Sequence, residues 1–127
     1  MQIIPNPSQK PKGNFKNPMQ NYANHYTYKG AIYENLAADI FCKMGRKLYY
    51  FQKEGGLELD FLIRYRGECC PVECKARTGN AKSPSTVLKH PEHYHVCHAI
   101  KLGDYNVGRN GPLLTLPFYM AFLLTEV

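Results

Sequence analysis

The stretch AIYENLAADIFCKMG, residues 31–45, sets Ile32, Leu36 and Ile40 four residues apart, with Tyr33, Ala37 and Phe41 beside them. Apolar positions at that spacing form one stripe of a helix, so the segment predicts an amphipathic helix, and Gly45 supplies its stop. The period then changes. KLYYFQ at 47–52 predicts a strand and EGG at 54–56 a turn. LELDFLIRY at 57–65 and ECCPVECKA at 68–76 predict two further strands joined through Arg66-Gly67. RTGNAKSPS is a loop, a short helix begins near Ser85 and stops before Pro91, and HVCHAIKL at 95–102 predicts a strand. GDYNVGRNGP is a turn region, PLLTL a short strand, and Pro117 suits the first turn of a closing helix. Helix, three strands, helix, strand, then a strand–helix cap is the order of an α/β fold.

Four charges interrupt the apolar hairpin at every second position: Glu58, Asp60, Glu73 and Lys75. Simple alternation puts Leu57, Leu59, Phe61 and Ile63 on one face and Glu58, Asp60, Leu62 and Arg64 on the other. If Arg66-Gly67 is a two-residue turn, paired residue numbers sum to 133 and Asp60 lies opposite Glu73. Two carboxylates facing across a ladder repel, and a divalent cation between them reverses that sign. Arg66 would then need a positive φ, which a type I′ turn demands and arginine resists. A type I turn with Gly67 in a bulge shifts the pairing by one and parts the two acids, unless a second bulge at Pro71 restores it. The plainer alternative is that these charges are the solvated face of a half-exposed hairpin.

Composition changes the picture little. The 127 residues carry a net charge of +6, but residues 1–30 hold four lysines and no acid, so residues 31–127 have 12 basic and 10 acidic residues and a net of +2. The basicity belongs mostly to a proline-rich stretch, 1–27, that reads as an arm or linker ahead of a domain at 28–127. No apolar signal segment opens the chain, and LLTLPFYMAFLL at 113–124 is too short to span a bilayer, so the expectation is a cytoplasmic protein without a membrane anchor. Five cysteines fit a reduced compartment. Cys69, Cys70, Cys74 and Cys97, with His90, His93, His95 and His98, invite a zinc reading, but no C-x-x-C pair is present. Tyr22, Tyr26, Tyr28 and Tyr33, interleaved with lysine, suit either base stacking or the rim of a core.

Glu34 in YKGAIYENLAADIF, Asp60 in LELDFLI, and Glu73, Cys74 and Lys75 in PVECKA together resemble the PD-(D/E)XK nuclease superfamily. More closely, Gly30 with Glu34, Asp60-Phe61, Glu73 with Lys75, and Leu116-Pro117-Phe118-Tyr119 resemble the uncharacterised C-terminal domain attached to bacterial and archaeal AAA-type ATPases. The resemblance covers about residues 28–124. It implies a restriction-endonuclease-like core with a mixed sheet, in a chain that is a piece of a larger ATPase-containing protein. It also implies that Asp60 and Glu73 hold Mg²⁺ or Mn²⁺, with the Cys74 backbone carbonyl as a further ligand. Lys75 would orient the attacking water and stabilise the phosphate, and Glu34 would bind a second metal or a metal-bound water. Arg64, Arg66, Arg77 and Lys82 lie nearby in sequence as candidate phosphate contacts. The implied activity is hydrolysis of DNA phosphodiester bonds. The alternative is a regulatory module on the same fold that binds DNA or a protein without cutting.

Overall fold

A computed structural model of the chain describes residues 2–5, 24–75 and 82–125, with side chains from residue 30 onward. The first helix, α1 (Asn24–Lys43), precedes a meander of β2 (Tyr49–Lys53), β3 (Leu57–Tyr65) and β4 (Glu68–Lys75). Two short helices, α2 (Lys82–Leu88) and α3 (Pro91–Tyr94), lead to β5 (Ala99–Gly103), β6 (Gly108–Asn110) and β7 (Leu113–Pro117). A 3₁₀ helix, Phe118–Leu123, follows Pro117. An edge strand, β1 (Gln2–Pro5), completes a seven-stranded sheet in the order β1-β2-β3-β4-β5-β7-β6. Strands β1 to β4 pair antiparallel, β4, β5 and β7 run parallel, and β6 returns antiparallel. The fold is thus α/β with a mixed sheet, and helix, meander, helix and strand follow one another as expected.

Each face of the sheet has its own core, because β-strands present alternate side chains to opposite sides. Under α1 and the 3₁₀ helix lie Ala37, Phe41, Phe61, Val72, Cys74, Ile100 and Leu102. Phe41 and Phe61 meet edge to face, with ring centroids 5.9 Å apart. On the α2–α3 side Val87 and Val96 pack on Phe51, Leu59 and Leu62. Arg46 is buried, donating from Nη1 to the Arg64 carbonyl at 2.5 Å and from Nη2 to the Leu124 carbonyl.

Several expectations need correction. Ile32 and Leu36 are 48% and 45% exposed. The buried stripe of α1 runs instead through Tyr33, Ala37, Ile40, Phe41 and Met44, and the Leu36-to-Ala37 step rotates about 100° around the helix. Small Ala37 lets α1 approach the sheet, which the larger Leu36 would prevent. In β3 the strict alternation fails, because Tyr49 pairs with Leu62 but Phe51 with Leu59. Tyr50 therefore faces both Asp60 and Phe61, a bulge that turns Leu57 and Leu59 to the α2 side with Leu62 while Phe61 and Ile63 face α1. Residues 91–94 are helical and His95 takes a left-handed conformation (φ 53°), so the strand expected at 95–102 begins only at Ala99. Gln2–Pro5, read as part of an arm, instead pair with β2, where an edge position tolerates proline. Gly108–Asn110, read as turn, form the short β6.

Candidate active site

The hairpin settles the open question of register. Arg66 and Gly67 have φ of 53° and 78°, the two positive values that a type I′ turn requires. Pairing runs from Tyr65↔Glu68 to Phe61↔Val72, with sums of 133 throughout and Pro71 in step opposite Leu62. Beyond Phe61↔Val72 the backbone ladder stops. Asp60, thrown out of alternation by the bulge, continues the connection with its side chain: the Cys74 N–H donates to Asp60 Oδ2 at 2.9 Å. The turn and the bulge together place a carboxylate in the fork where β3 and β4 part.

Glu73 follows on β4, and it is not solvated. Only 5% of the residue is exposed. Its Oε1 pairs with Lys75 Nζ at 2.5 Å, while its Oε2 is buried with no hydrogen-bond partner. A carboxylate oxygen left so costs several kcal/mol in principle, more than a neutral group would. This removes the solvated-face explanation of the hairpin, at least for Asp60 and Glu73. Lys101, in register with Glu73 on β5, adds a second ammonium. Its Nζ lies 4.3 Å from the centroid of the Tyr105 ring.

The electrostatics show a mutually strained group. Burial first, then the charges of Glu73 and Glu34, push the Asp60 carboxyl up to about 7, against the pull of the Cys74 amide and Lys75. Glu34 reaches the cluster from α1, on the flank of the buried stripe three residues before Ala37 and seven before Phe41. Burial lowers Lys75, but the hydrogen bond and charge of Glu73, with Asp60, outweigh it and hold the lysine above its usual range. Lys101 is lowered by burial and then by the nearby Lys75 charge, with Glu73 opposing.

The donors suit a hard divalent cation. Glu73 Oε2 is buried and unsatisfied, and Asp60 is a neighbouring carboxylate raised by burial first and then by the charges of Glu73 and Glu34, which a cation would offset. Among the described residues no three of His, Cys, Asp and Glu gather closely enough to cage an ion. Mg²⁺ needs only one or two carboxylates and completes its shell with water, so Asp60 and Glu73 are the residues that would hold it.

Sequence reasoning thus named Glu34, Asp60, Glu73 and Lys75, and the fold brings all four into one electrostatic group. For Cys74 the structure supplies the backbone amide to Asp60. Its thiol lies in the core under α1, where burial, followed by the charge of Asp60, raises it well above the ordinary thiol value. Arg64 and Arg66 do not join them, since they lie at the turn end of the hairpin, four and six residues from Asp60. Lys82 is exposed at the start of α2, and Arg77 lies outside the described residues. Among the described residues the histidines join no group of three that could hold a metal; His98 Nδ1 lies 3.2 Å from Glu68 and His90 Nδ1 3.4 Å from Glu92. Missed altogether were Lys101 and Tyr105. Lys101 was legible only as a charge inside an apolar strand, AIKLG, and its place beside Glu73 depends on the parallel β4–β5 register.

Fold and cluster together define an α/β domain with a buried carboxylate–lysine group where the β3–β4 ladder parts. Residues 29–119 match a family described as a domain of unknown function (DUF4143), and the chain belongs to that family. No curated protein and no solved structure matches it. No helix among the described residues is long and apolar enough to cross a membrane.

Proposed function

We propose that this is a metal-dependent nuclease-like domain that hydrolyses phosphodiester bonds in DNA. The observation that carries the reading is Glu73: a carboxylate buried beside Asp60, ion-paired to Lys75 through one oxygen and unsatisfied at the other. A protein gains nothing in stability by burying such a group, and a buried carboxyl held above its ordinary value, as Asp60 is, is a common mark of a working site. Asp60 and Glu73 would hold Mg²⁺ or Mn²⁺, with the Cys74 carbonyl as a further candidate ligand and Glu34 behind them. Bound there, the cation supplies Lewis acidity toward a phosphoryl oxygen and an activated water. Lys75, held at 2.5 Å by Glu73, would position an attacking water and neutralise charge gathering on the phosphate. Asp60 keeps the fork open and fixed through the Cys74 amide.

On the resemblance in its motifs, the domain works beside an AAA-type ATPase module in a longer chain, in the cytoplasm. All five cysteines are free thiols, which suits a reducing compartment. The rival reading is a regulatory module that binds DNA or protein without cutting; the tight Lys75–Glu73 pair is its best support, since a purely structural ion pair would look the same.

Plasmid and single-stranded DNA incubated with Mg²⁺ or Mn²⁺ test the proposal, with Lys75→Ala beside wild type. Cleavage that needs the metal and falls at least 100-fold in the variant is expected. Equal cleavage by both proteins, or none by either, puts the binding module ahead.

A further inference from the structure

Lys75, Gly103 and Pro117 end β4, β5 and β7 in one row, because Lys75 pairs with Gly103 and Gly103 with Pro117. The three strands are parallel, so their carboxyl ends open on one edge, the place where open α/β sheets receive ligands. A cavity of about 280 Å³ lies there, walled beside Gly103 by Asp104, Tyr105, Asn106, Pro117, Phe118 and Tyr119. At strand spacing, Pro117 is two strands, or about 10 Å, from Lys75.

The walls are built rather than incidental. A Cβ on Gly103 would fall 2.3 Å from the Lys75 carbonyl oxygen and 2.4 Å from the Tyr105 ring, so only glycine lets that ring lie against the end of β4. Phe118 stacks on Tyr33 with centroids 5.1 Å apart, and the Tyr33 hydroxyl donates to Asp104 Oδ2 at 2.8 Å. Tyr119, which follows buried Phe118 in the 3₁₀ helix, is 73% exposed. A large ring is thus left in water at the mouth of an aromatic cavity, and the Lys101 ammonium lies 4.3 Å from the centroid of Tyr105, one of its walls.

We propose that this cavity holds an unpaired base of a single-stranded nucleic acid, stacked on Tyr105 and Tyr119, while Lys101 contacts the adjoining phosphate. Cations that track a backbone beside aromatic faces are what single strands require, and a base within a duplex cannot reach such a ring. The inference builds on the proposed nuclease reading by naming its substrate class, single-stranded over duplex.

Fluorescence anisotropy with labelled single-stranded DNA, single-stranded RNA and duplex DNA, in Ca²⁺ to hold the carboxylates without turnover, measures it. Wild type binds either single strand more tightly than duplex. Tyr119→Ala weakens single-strand binding roughly 5- to 150-fold, the range found for loss of one stacked base, and leaves duplex binding unchanged. Tyr119→Phe keeps wild-type affinity, and Lys101→Gln reduces the slope of log K against log salt by about 0.7. Single-strand binding by Tyr119→Ala equal to wild type, or a wild-type preference for duplex, overturns the proposal. Plasmid cleavage by the same proteins separates the two ideas. Metal-dependent cleavage with no Tyr119 effect on binding leaves the nuclease and refutes the base site; Tyr119-dependent binding without cleavage leaves the base site and refutes the nuclease.

Discussion

Removing the charge at Asp60 should stabilise the metal-free protein, and only above acidic pH. The carboxyl is held at about 7 against an ordinary 3.8, chiefly by burial and then by Glu73 and Glu34. The folded state therefore binds its proton more tightly than the unfolded state does. Below about 4 both states are protonated and the group contributes no pH dependence. Between 4 and 7 the unfolded chain loses the proton while the fold keeps it, so stability falls as pH rises; above 7 the loss is complete. The interval from 3.8 to about 7, at roughly 1.4 kcal/mol per pH unit, amounts to about 4 kcal/mol for Asp60. In a domain of this size that is on the order of 10–20 °C in Tm. Asp60→Asn keeps an oxygen for the Cys74 amide and removes the charge. Thermal melts in EDTA from pH 4 to 8 should show wild type losing stability relative to the variant, with the gap closing at low pH. Mg²⁺ at pH 8 should then recover about 2.7 kcal/mol for wild type at a hundred times its dissociation constant and nothing for Asp60→Asn. A wild-type-minus-variant difference that is flat with pH, or that grows toward acid, would refute the picture of mutually crowded carboxylates.

Gly103→Ala places a methyl within 2.3 Å of backbone at the end of β4, so unfolding in urea should show a loss of about 1–3 kcal/mol, with activity falling as Lys75 shifts. Arg46→Met leaves the Arg64 and Leu124 carbonyls without their charged donor and should cost about 2–4 kcal/mol by the same measurement; Arg46→Lys should recover only part, because one Nζ replaces two separated Nη donors. Arg66→Asn relieves a left-handed arginine in a type I′ turn and should raise stability by about 0.5–1 kcal/mol without touching cleavage, since the turn lies at the far end of the hairpin.

The element order was legible because it is written in local periods: 3.6 in α1, near 2 in the strands, glycine and proline between them. What periodicity misplaced were the features set by contact between elements. Ile32 and Leu36 looked like core by spacing, yet α1 turns small Ala37 and ring-bearing Phe41 to the sheet. The bulge opposite Tyr50 leaves no trace in composition, since Asp60-Phe61 reads as ordinary alternation. Arg66 argued against its own turn, and the strand pairing on either side outweighed a local penalty of about 1–3 kcal/mol. The acidic members of the site were found through short motifs in order, while Lys101 and Tyr105 were invisible, because a parallel register between distant strands has no sequence signature.

These misses share a direction. The bulge costs ladder hydrogen bonds, Arg66 holds an unfavourable backbone, and Glu73 is buried with one oxygen unsatisfied. Each breaks a local rule, and two of them converge on the few residues where β3 and β4 part. Simple strand pairing through Asp60 and Glu73, with leucine or threonine there, would relieve the carboxylate crowding and let the ladder continue. Conflicts between local preference and structure gather at functional sites because only a gain outside folding offsets them. The proposed ligand, a divalent cation with a phosphate, would reward two crowded carboxylates and a lysine in a way that nothing the sheet needs for itself does.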